Sequence, residues 1–194
     1  MPPKIRVTKE MIIDTAFDIA RREGESKITA RRISEQLGCS TQPVLYHFAS
    51  VAEIRRAVYR KADAYHSAFI MNMQNDHENP MLAIGLNYVR FAREESQLFR
   101  FLFQSDEFSG TGISELTDAE ELRPVLAVFQ QEMDISSDAA KEIFRTLFVL
   151  VHGYASLYAN NRMVYDEKLI ITTLTKVFYS ALCADGKDHD EETV

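Results

Sequence analysis

The chain has 194 residues, of which 46% are hydrophobic, and this is enough material for one or two buried cores. The uncharged stretch at residues 146–159 is too short and too polar to span a bilayer, and the two cysteines, Cys39 and Cys183, show no metal-ligand spacing. We therefore expect a cytoplasmic protein without a membrane segment, a metal or another cofactor.

The net charge of −7 at pH 7 is unevenly distributed along the chain. Residues 1–61 contain 12 Lys and Arg against 7 Asp and Glu, whereas residues 62–194 contain 10 against 22. Attraction to phosphate groups depends on the local field rather than on the total charge, so this pattern is typical of a basic DNA-binding head on an acidic body. A surface that is unevenly charged without any function is the alternative interpretation.

Three helices are predicted in the head of the chain. The first begins at Thr8 or Lys9 and ends at Gly24, because apolar residues recur at helical spacing between these points. The segment 28–47 then forms two short helices joined by a tight turn at Gly38, where a left-handed backbone favours glycine. This arrangement predicts a helix-turn-helix, whose second helix enters the major groove of duplex DNA.

The second helix of this pair begins with a polar turn. Ser40 is expected to cap it, because a serine hydroxyl accepts hydrogen bonds from the first free backbone N–H groups of a helix. Pro43 fits the first turn, where the missing N–H of proline costs nothing. Thr41 and Gln42 are then exposed at the end of the helix that meets base edges.

Residues 51–194 are predicted to form a helical body after a head of residues 1–50. A long helix capped by Ser50 covers residues 52–73 and runs from the head into the body. Further helices are predicted at residues 81–91, 96–103 and 122–133, with a loop at residues 105–117.

The last two helices of the chain carry apolar residues on more than one face. The first is capped by Ser137 or Asp138, and the second begins at Asp166. A helix that is apolar on two sides needs cover on both, and in so small a chain a second copy supplies it best, which predicts a four-helix interface across a twofold axis. The expected interface residues are Leu147, Val151, Tyr154, Tyr158, Leu174 and Phe178. A central position of both helices in the monomer core is the alternative.

An aromatic group with one histidine is the candidate site for a small-molecule effector. Aromatic side chains can line a cavity for an apolar or planar ligand, although such groups more often belong to a core. The candidate residues are Tyr88, Phe91, Phe99, Phe103 and His152.

The head resembles the DNA-binding domain of the TetR family of transcriptional regulators. The resemblance rests on Thr29, the run Gly38-Cys39-Ser40 and the pair His47-Phe48, and it covers about the first 55 to 60 residues. It implies an all-helical homodimer with three head helices and about six body helices, in which a bound ligand controls the spacing of the two heads. His152-Gly153 is similar to a His-Gly motif in the C-terminal domain of some members.

Two positions depart from the family pattern. Leu45 stands where a tyrosine usually contacts phosphate, and Val51 stands where a lysine usually does so. Each missing phosphate contact lowers the slope of the log–log salt dependence by about 0.9, so we expect weaker nonspecific affinity and an unchanged fold. Tyr46, Arg55 and Lys4 are the candidates to replace these contacts.

The resemblance and the side-chain chemistry together assign roles in the head. The candidate DNA contacts are Thr29, Arg31, Ser40, Thr41, Gln42, Tyr46 and His47. A glutamine pairs with adenine N6 and N7, so Gln42 is expected at a base edge, and the position of Arg31 can reach a base edge in relatives, where an arginine fork fits guanine. Thr29 can cap its helix and offer its hydroxyl to phosphate, while Tyr46 and His47 lie toward the DNA backbone. An ordinary solvated side chain is the alternative for each of them.

The sequence as a whole predicts an all-α protein with a three-helix DNA-binding head and a helical body for ligand binding and dimerisation. Its predicted function is that of a ligand-responsive repressor, which binds a palindromic double-stranded DNA operator as a homodimer and responds to a small-molecule effector. The alternative is a helical small-molecule-binding or scaffold protein with a vestigial head. An enzyme is the weakest alternative, because the chain contains no G-x-G-x-x-G, phosphate-loop, H-E-x-x-H or paired-cysteine motif.

Overall fold

The computed structural model describes residues 7–72, 79–106, 112–161 and 163–191. Within these ranges the chain forms α-helices joined by turns and short 3-10 segments, without a β-strand, so the predicted all-α fold is confirmed. None of the helices in these ranges is both long enough and apolar enough to cross a membrane. The helices are α1 Lys9–Glu23, α2 Ala30–Leu37, α3 Gln42–His47, α4 Val51–Ile70, α5 Pro80–Glu94, α6 Ser96–Phe103, α7 Ile113–Leu116, α8 Arg123–Met133, α9 Ser137–Asn160 and α10 Glu167–Glu191.

The chain divides into two compact units. The first contains the described residues of Met1–His66 and Glu95–Ser109, and therefore α1, α2, α3, the larger part of α4, and α6. The second contains the described residues of Ser67–Glu94 and Gly110–Val194, with the end of α4, α5, and the helices from α7 to α10. Helix α4 thus contributes residues to both units.

Helix α1 begins and ends as predicted. Thr8 is its N-cap, and the Thr8 Oγ1 atom accepts a hydrogen bond of 3.2 Å from the backbone N–H of Met11. Gly24 follows the helix with a positive φ of 93°, which favours glycine, and its N–H donates to the carbonyl of Ala20 at 3.0 Å. The buried side of α1 is formed by Ile12, Ala16, Phe17, Ile19 and Ala20.

Helices α2 and α3 form the predicted helix-turn-helix. Thr29 caps α2, because its Oγ1 atom accepts a hydrogen bond of 3.1 Å from the N–H of Arg32. Gly38 ends α2 in the left-handed conformation, with φ 65° and ψ 32°, and the N–H of Cys39 donates to the carbonyl of Ser34 at 3.0 Å. No neighbouring side chain lies within 4 Å of the position that a Cβ atom of residue 38 would take, so the backbone angle alone requires glycine there.

The prediction that Ser40 caps α3 is wrong. The N-cap of α3 is Thr41, whose backbone is already helical, with φ −69° and ψ −16°, and whose side chain makes no capping hydrogen bond. A capping bond to Ser40 would come from the N–H of the residue three positions on, and that residue is Pro43, which has none. Pro43 itself lies in the first turn of α3, as predicted.

Helix α4 is capped by Ser50, as predicted. The Ser50 Oγ atom accepts a hydrogen bond of 3.2 Å from the N–H of Glu53, and the Glu53 carboxylate accepts one of 2.9 Å from the N–H of Ala49. The helix starts one residue earlier than predicted and ends at Ile70, whereas residue 73, its predicted end, lies outside the described residues. Its buried residues in the first unit include Ile54, Ala57, Val58 and Ala62.

In the second unit, α5, α9 and α10 pack on one another. Gly85 on α5 allows close contact, because a Cβ atom at this position would lie 3.3 Å from Leu174 Cδ1 and 3.7 Å from Val151 Cγ2. Helix α10 starts directly after Asp166, as predicted, and the Asp166 Oδ1 atom accepts a hydrogen bond of 2.9 Å from the N–H of Leu169.

Two details of the second unit differ from the prediction. Ser136, rather than Ser137 or Asp138, caps α9, because its Oγ atom accepts a hydrogen bond of 3.2 Å from the backbone N–H three residues on. The predicted loop at residues 105–117 contains the short helix α7, while its residues 107–111 lie outside the described part of the chain. A helix of this length is too short to show a periodic apolar pattern in the sequence.

Candidate nucleic-acid interface

Helix α3 is anchored on one side and open on the other. Val44 is fully buried, and Phe48, directly after the helix, is buried as well. Gln42 and Tyr46 each lie two residues from Val44, which places them on the opposite side of the helix, and both are exposed. Leu45 lies between these two sides and keeps 56% of its surface exposed. The outward side of α3 therefore presents an amide, a phenol and an apolar side chain.

His47 connects α3 to the chain before α1. Its Nε2 atom lies 3.0 Å from the backbone carbonyl oxygen of Val7, and since a carbonyl only accepts, Nε2 donates this hydrogen bond. The ring of Tyr46 packs edge-on against the His47 ring, with centroids 5.3 Å apart. His47 thus contacts Tyr46, and its Nε2 atom is already used within the head.

Arg31 and Arg32 are both ion-paired, but in different ways. Arg32 donates from Nε to both carboxylate oxygens of Glu23 at 3.2 Å and from Nη2 at 2.6 Å, which ties α2 to the end of α1. This hydrogen bonding by Arg32 lowers the pKa of Glu23. Arg31, whose side chain is 87% exposed, donates from Nε to Glu35 at 2.9 Å, one turn along α2. Arg31 can therefore turn to another acceptor at little cost, whereas Arg32 is held in place.

Three exposed hydroxyl groups lie at the ends of the helix-turn-helix elements. Thr29 uses its oxygen to accept the capping bond of α2, so its own hydrogen remains available for a phosphate oxygen. Ser40 and Thr41 make no side-chain hydrogen bond to any residue that the structure describes. All three can therefore donate to an anion.

Carboxylates of the head neutralise part of its positive charge. Lys9, for example, lies 3.9 Å from Glu53. Within the described residues up to Lys61, the basic side chains without an ion pair are Arg22, Lys27, Arg55, Arg56 and Arg60. Of the candidates to replace the missing phosphate contacts, Tyr46 is exposed, and Arg55 is half-buried, with an Nε atom that makes no hydrogen bond in the described part of the chain. Lys4 lies outside the described residues.

An ion pair between the exposed Arg21 and the buried Glu95 joins helices of the first unit, together with Tyr65. Glu95, at the start of α6, is buried and accepts hydrogen bonds from Arg21 of α1, through Nε at 2.8 Å and through Nη2. Tyr65 of α4 donates to Glu95 at 3.1 Å and accepts from Arg21 at 3.2 Å. The hydrogen bond to Glu95 raises the pKa of Arg21. Sequence reasoning missed this network, because its members are 30 and 74 residues apart in the chain.

The predicted effector residues fall in both units. Tyr88 and His152 meet in the second unit, where the Tyr88 hydroxyl lies 2.9 Å from His152 Nδ1. Burial raises the pKa of Tyr88 and lowers the pKa of His152, so both groups are neutral at pH 7 and the hydrogen bond joins two uncharged partners. Phe91 is fully buried in the same unit. Phe99 and Phe103 belong to the first unit, where their ring centroids are 5.0 Å apart.

Two further rings lie beside the Tyr88–His152 pair. The centroid of Phe148 is 5.5 Å from that of His152 and 6.0 Å from that of Tyr88, and Phe144 stacks on Phe148 at 5.6 Å. These two residues were not among the candidates selected from the sequence, although the spacing of four residues from Phe144 to Phe148 to His152 was a signal for them. No three His, Cys, Asp or Glu side chains among the described residues are grouped to hold a metal ion.

Three of the predicted interface residues fill the core of the second unit instead. Leu147, Val151 and Leu174 keep at most 9% of their surface exposed, and the last two contact α5 at Gly85. These three side chains face their own chain and offer little surface to a partner. The other three predicted residues, which are half-buried, are Tyr154, Tyr158 and Phe178.

Other residues of α9 and α10 form an exposed apolar side. Val149, Gly153 and Leu157 recur every four residues on α9, and all three are exposed. On α10, Leu169 and Tyr179 are exposed as well. No neighbouring side chain lies within 4 Å of the position that a Cβ atom of Gly153 would take, so another helix can approach closely at this point.

A family model matches the C-terminal part of the chain. Residues 81–176 match the model described as the tetracycline repressor-like C-terminal domain. A comparison with curated proteins gives no match.

Solved structures share the fold of this chain. A TetR-family transcriptional regulator from Streptomyces coelicolor aligns with a TM-score of 0.70 over 94% of this chain and 83% of its own, at 18% identity. The protein SCO7518 of Streptomyces coelicolor A3(2) aligns with a TM-score of 0.55 at 17% identity, over 87% of this chain and 96% of its own. The multidrug binding protein EbrR, in complex with imidazole, aligns with a TM-score of 0.52 at 16% identity, over 87% and 88%. At these identities the likeness is one of fold.

Proposed function

This chain belongs to the TetR family of transcriptional regulators, and we propose that it is a ligand-responsive repressor that binds a palindromic DNA operator as a homodimer in the cytoplasm. The observation that carries the proposal is the outward side of α3, where Gln42 and Tyr46 are exposed opposite the buried anchor Val44. A short helix that is held on one side and polar on the other is suited to the major groove.

Each exposed residue of the head has a role in this proposal. Gln42 pairs with the N6 and N7 edge of an adenine. Arg31 leaves Glu35 and donates both ends of its guanidinium to a guanine. The hydroxyl groups of Thr29 and Tyr46, with those of Ser40 and Thr41, donate to phosphates and fix the register of the head on the duplex. His47 acts indirectly, through its contact with Tyr46.

The second copy covers the exposed apolar side of α9 and α10 in this proposal. Val149 and Leu157 flank Gly153, which lets the equivalent helix of a partner approach across a twofold axis. A dimer presents two recognition helices, which then meet two half-sites about 34 Å apart on one side of the duplex. The twofold axis is the reason why the operator is expected to be palindromic, and the distance between the two recognition helices sets the spacing of its half-sites.

The effector in this proposal binds beside the Tyr88–His152 pair of the second unit. An apolar or planar molecule would contact the rings of Phe144 and Phe148, with the pair as the convergent polar group. A ligand that binds one conformation of the body more tightly changes operator affinity, and the operator must weaken or strengthen ligand binding by the same factor. Helix α4, which contributes residues to both units, provides a continuous helical connection between them.

A helical ligand-binding protein with a vestigial head is the second candidate. It is favoured by Leu45 and Val51, which replace two phosphate-binding residues of the family pattern, and by the ion pairs that occupy Arg31 and Arg32. Such a protein would retain the effector site and the dimer but would not hold DNA.

Selection from random duplex DNA at low ionic strength separates the two candidates. The repressor is expected to enrich palindromes whose half-sites are 10 to 10.5 base pairs apart or a multiple of this spacing. Gln42→Ala should then cost about 1 to 3 kcal/mol on the recovered duplex and relax the preference at one base pair, while binding to random duplex changes little. A protein that retains no duplex of any sequence would instead be the ligand-binding candidate.

A further inference from the structure

Leu45 is an exposed apolar residue on the otherwise polar outward side of α3. It keeps 56% of its surface exposed, although Val44 beside it is fully buried. Leu45 follows Gln42 by three residues and Thr41 by four, so these three side chains are neighbours on the helix surface. The side chain of Leu45 has no polar atom with which to bind water, phosphate or the hydrogen-bonding groups of a base.

The base edges in the major groove offer one apolar group. The groups that distinguish the four base pairs there are hydrogen-bond donors and acceptors, with the 5-methyl group of thymine as the exception. We propose that Leu45 contacts this methyl group and thereby selects a thymine in each half-site of the operator. The inference rests on the proposed DNA binding through α3.

The neighbours of Leu45 support this partner. Gln42 is matched to adenine, which pairs with thymine, so the two side chains on one side of α3 read the two bases of A·T pairs. Contact of Leu45 with a phosphate or a sugar would carry no sequence information and would leave the methyl group unread. The exposed apolar residues that suit a second copy of the chain lie on other helices, α9 and α10.

The experiment removes the methyl group and nothing else. In the duplex recovered by selection, each thymine of a half-site is replaced in turn by uracil, which keeps the base pair and its hydrogen bonds. With the wild-type dimer, one such replacement is expected to lower affinity about fourfold per half-site, the value for one buried methyl group, and about fifteenfold when both half-sites are changed.

Two variants show whether Leu45 makes this contact. In Leu45→Ala the same uracil replacement should change affinity by less than about twofold, because the side chain that reached the methyl group is absent. Gln42→Ala binds more weakly but should keep the fourfold uracil effect, which makes it the matched control. Thermal unfolding of Leu45→Ala is expected to match the wild type, since the residue is exposed.

Three results overturn the inference. The first is a recovered operator in which no thymine methyl group affects binding by the wild-type protein. The second is a uracil effect of equal size in the wild type and in Leu45→Ala. The third is wild-type protein that retains no duplex at all, and this result, unlike the first two, overturns the proposed function as well.

Discussion

Helices α3 and α9 each carry an apolar residue that is exposed to the same extent, but the neighbours of these two residues differ. Leu45 on α3 and Val149 on α9 both keep 56% of their surface exposed. Leu45 has Gln42 as its neighbour, which suits a polar partner that carries one methyl group. Val149 instead lies on the same side of α9 as Gly153 and Leu157, which suits the apolar side of a second helix. The comparison teaches that the neighbours of an exposed apolar residue, and not its exposure, identify the partner.

The largest expected effect is on the α9 surface. Leu157→Arg places a charge in the proposed interface twice per dimer, and burial of an unpaired charge costs at least about 2 kcal/mol per copy. The dimer dissociation constant should therefore rise by a factor on the order of 1,000, and light scattering at micromolar concentration should report monomer. Operator affinity should fall with it, because a single head makes half of the contacts.

Glu132→Arg is the matched control for this substitution. Glu132 lies exposed on α8, in the same unit, so the variant introduces arginine away from the proposed interface and should remain dimeric. Dimeric Leu157→Arg, or a wild-type protein that is monomeric at the same concentration, would remove α9 from the interface.

Acid should affect the unit that carries α3 through a buried histidine. Burial lowers the pKa of His66 to about 4, below the usual value of 6.5. Unfolded chains therefore take up the proton first, so the contribution of this residue to stability is complete above pH 6.5 and is lost as the pH falls toward 4. The loss should reach about 3 kcal/mol at the lower end of this range.

Denaturant titrations of the wild type and of His66→Gln at several pH values between 7 and 4 measure this loss. The substitution itself changes the free energy of unfolding at pH 7. The quantity to compare is therefore how this free energy changes with pH in each protein. The wild-type curve should fall more steeply than that of the variant. Parallel curves would show that His66 does not cause the loss.

Local rules made the head readable from the sequence. Thr8, Thr29 and Ser50 are caps because each offers a hydroxyl to an N–H three residues on, and Gly38 ends α2 because the backbone there is left-handed, a conformation that favours glycine. The one cap that was predicted wrongly, Ser40, also has a local cause, because Pro43 lacks the N–H that would donate to it. Nothing distant in the chain has to be known for these assignments.

The body could be predicted only in part, because distant residues decide which side of a helix is buried. The apolar content of α9 was evident, but Gly85 of α5 selects Val151 as a core residue and leaves Val149 outside. Three of the six predicted interface residues, Leu147, Val151 and Leu174, are therefore buried within their own unit. The ion pair between Arg21 and Glu95 was unpredictable for the same reason.

Two exposed glycines test whether α3 and α9 need glycine for different reasons. Gly38→Ala should destabilise the fold by about 1 kcal/mol, because alanine is strained at φ 65° even with open space around it. Gly153→Ala should stabilise the folded monomer by about 0.5 to 1 kcal/mol, since alanine favours a helix, and should weaken the dimer, since the added methyl group separates the two helices. Chemical denaturation measures the stability changes of both variants, and dilution followed by light scattering measures the dimer affinity of Gly153→Ala. A tighter dimer in Gly153→Ala would contradict close helix contact at this position.

The smallest expected effect concerns Arg31, which is exposed and paired with Glu35 in the free protein. An exposed pair at this spacing is worth about 0.3 to 0.5 kcal/mol, so Glu35→Gln, which releases the arginine, should raise operator affinity about twofold. If Arg31 reads a guanine, the gain on the recovered operator exceeds the gain on random duplex at the same salt concentration, because only the operator offers that base edge at the right place. An equal gain on both duplexes would mean that the substitution acts through charge alone. Glu23→Gln releases Arg32 instead and should lower stability without raising specificity, because Arg32 joins α2 to the end of α1 and Arg31 does not.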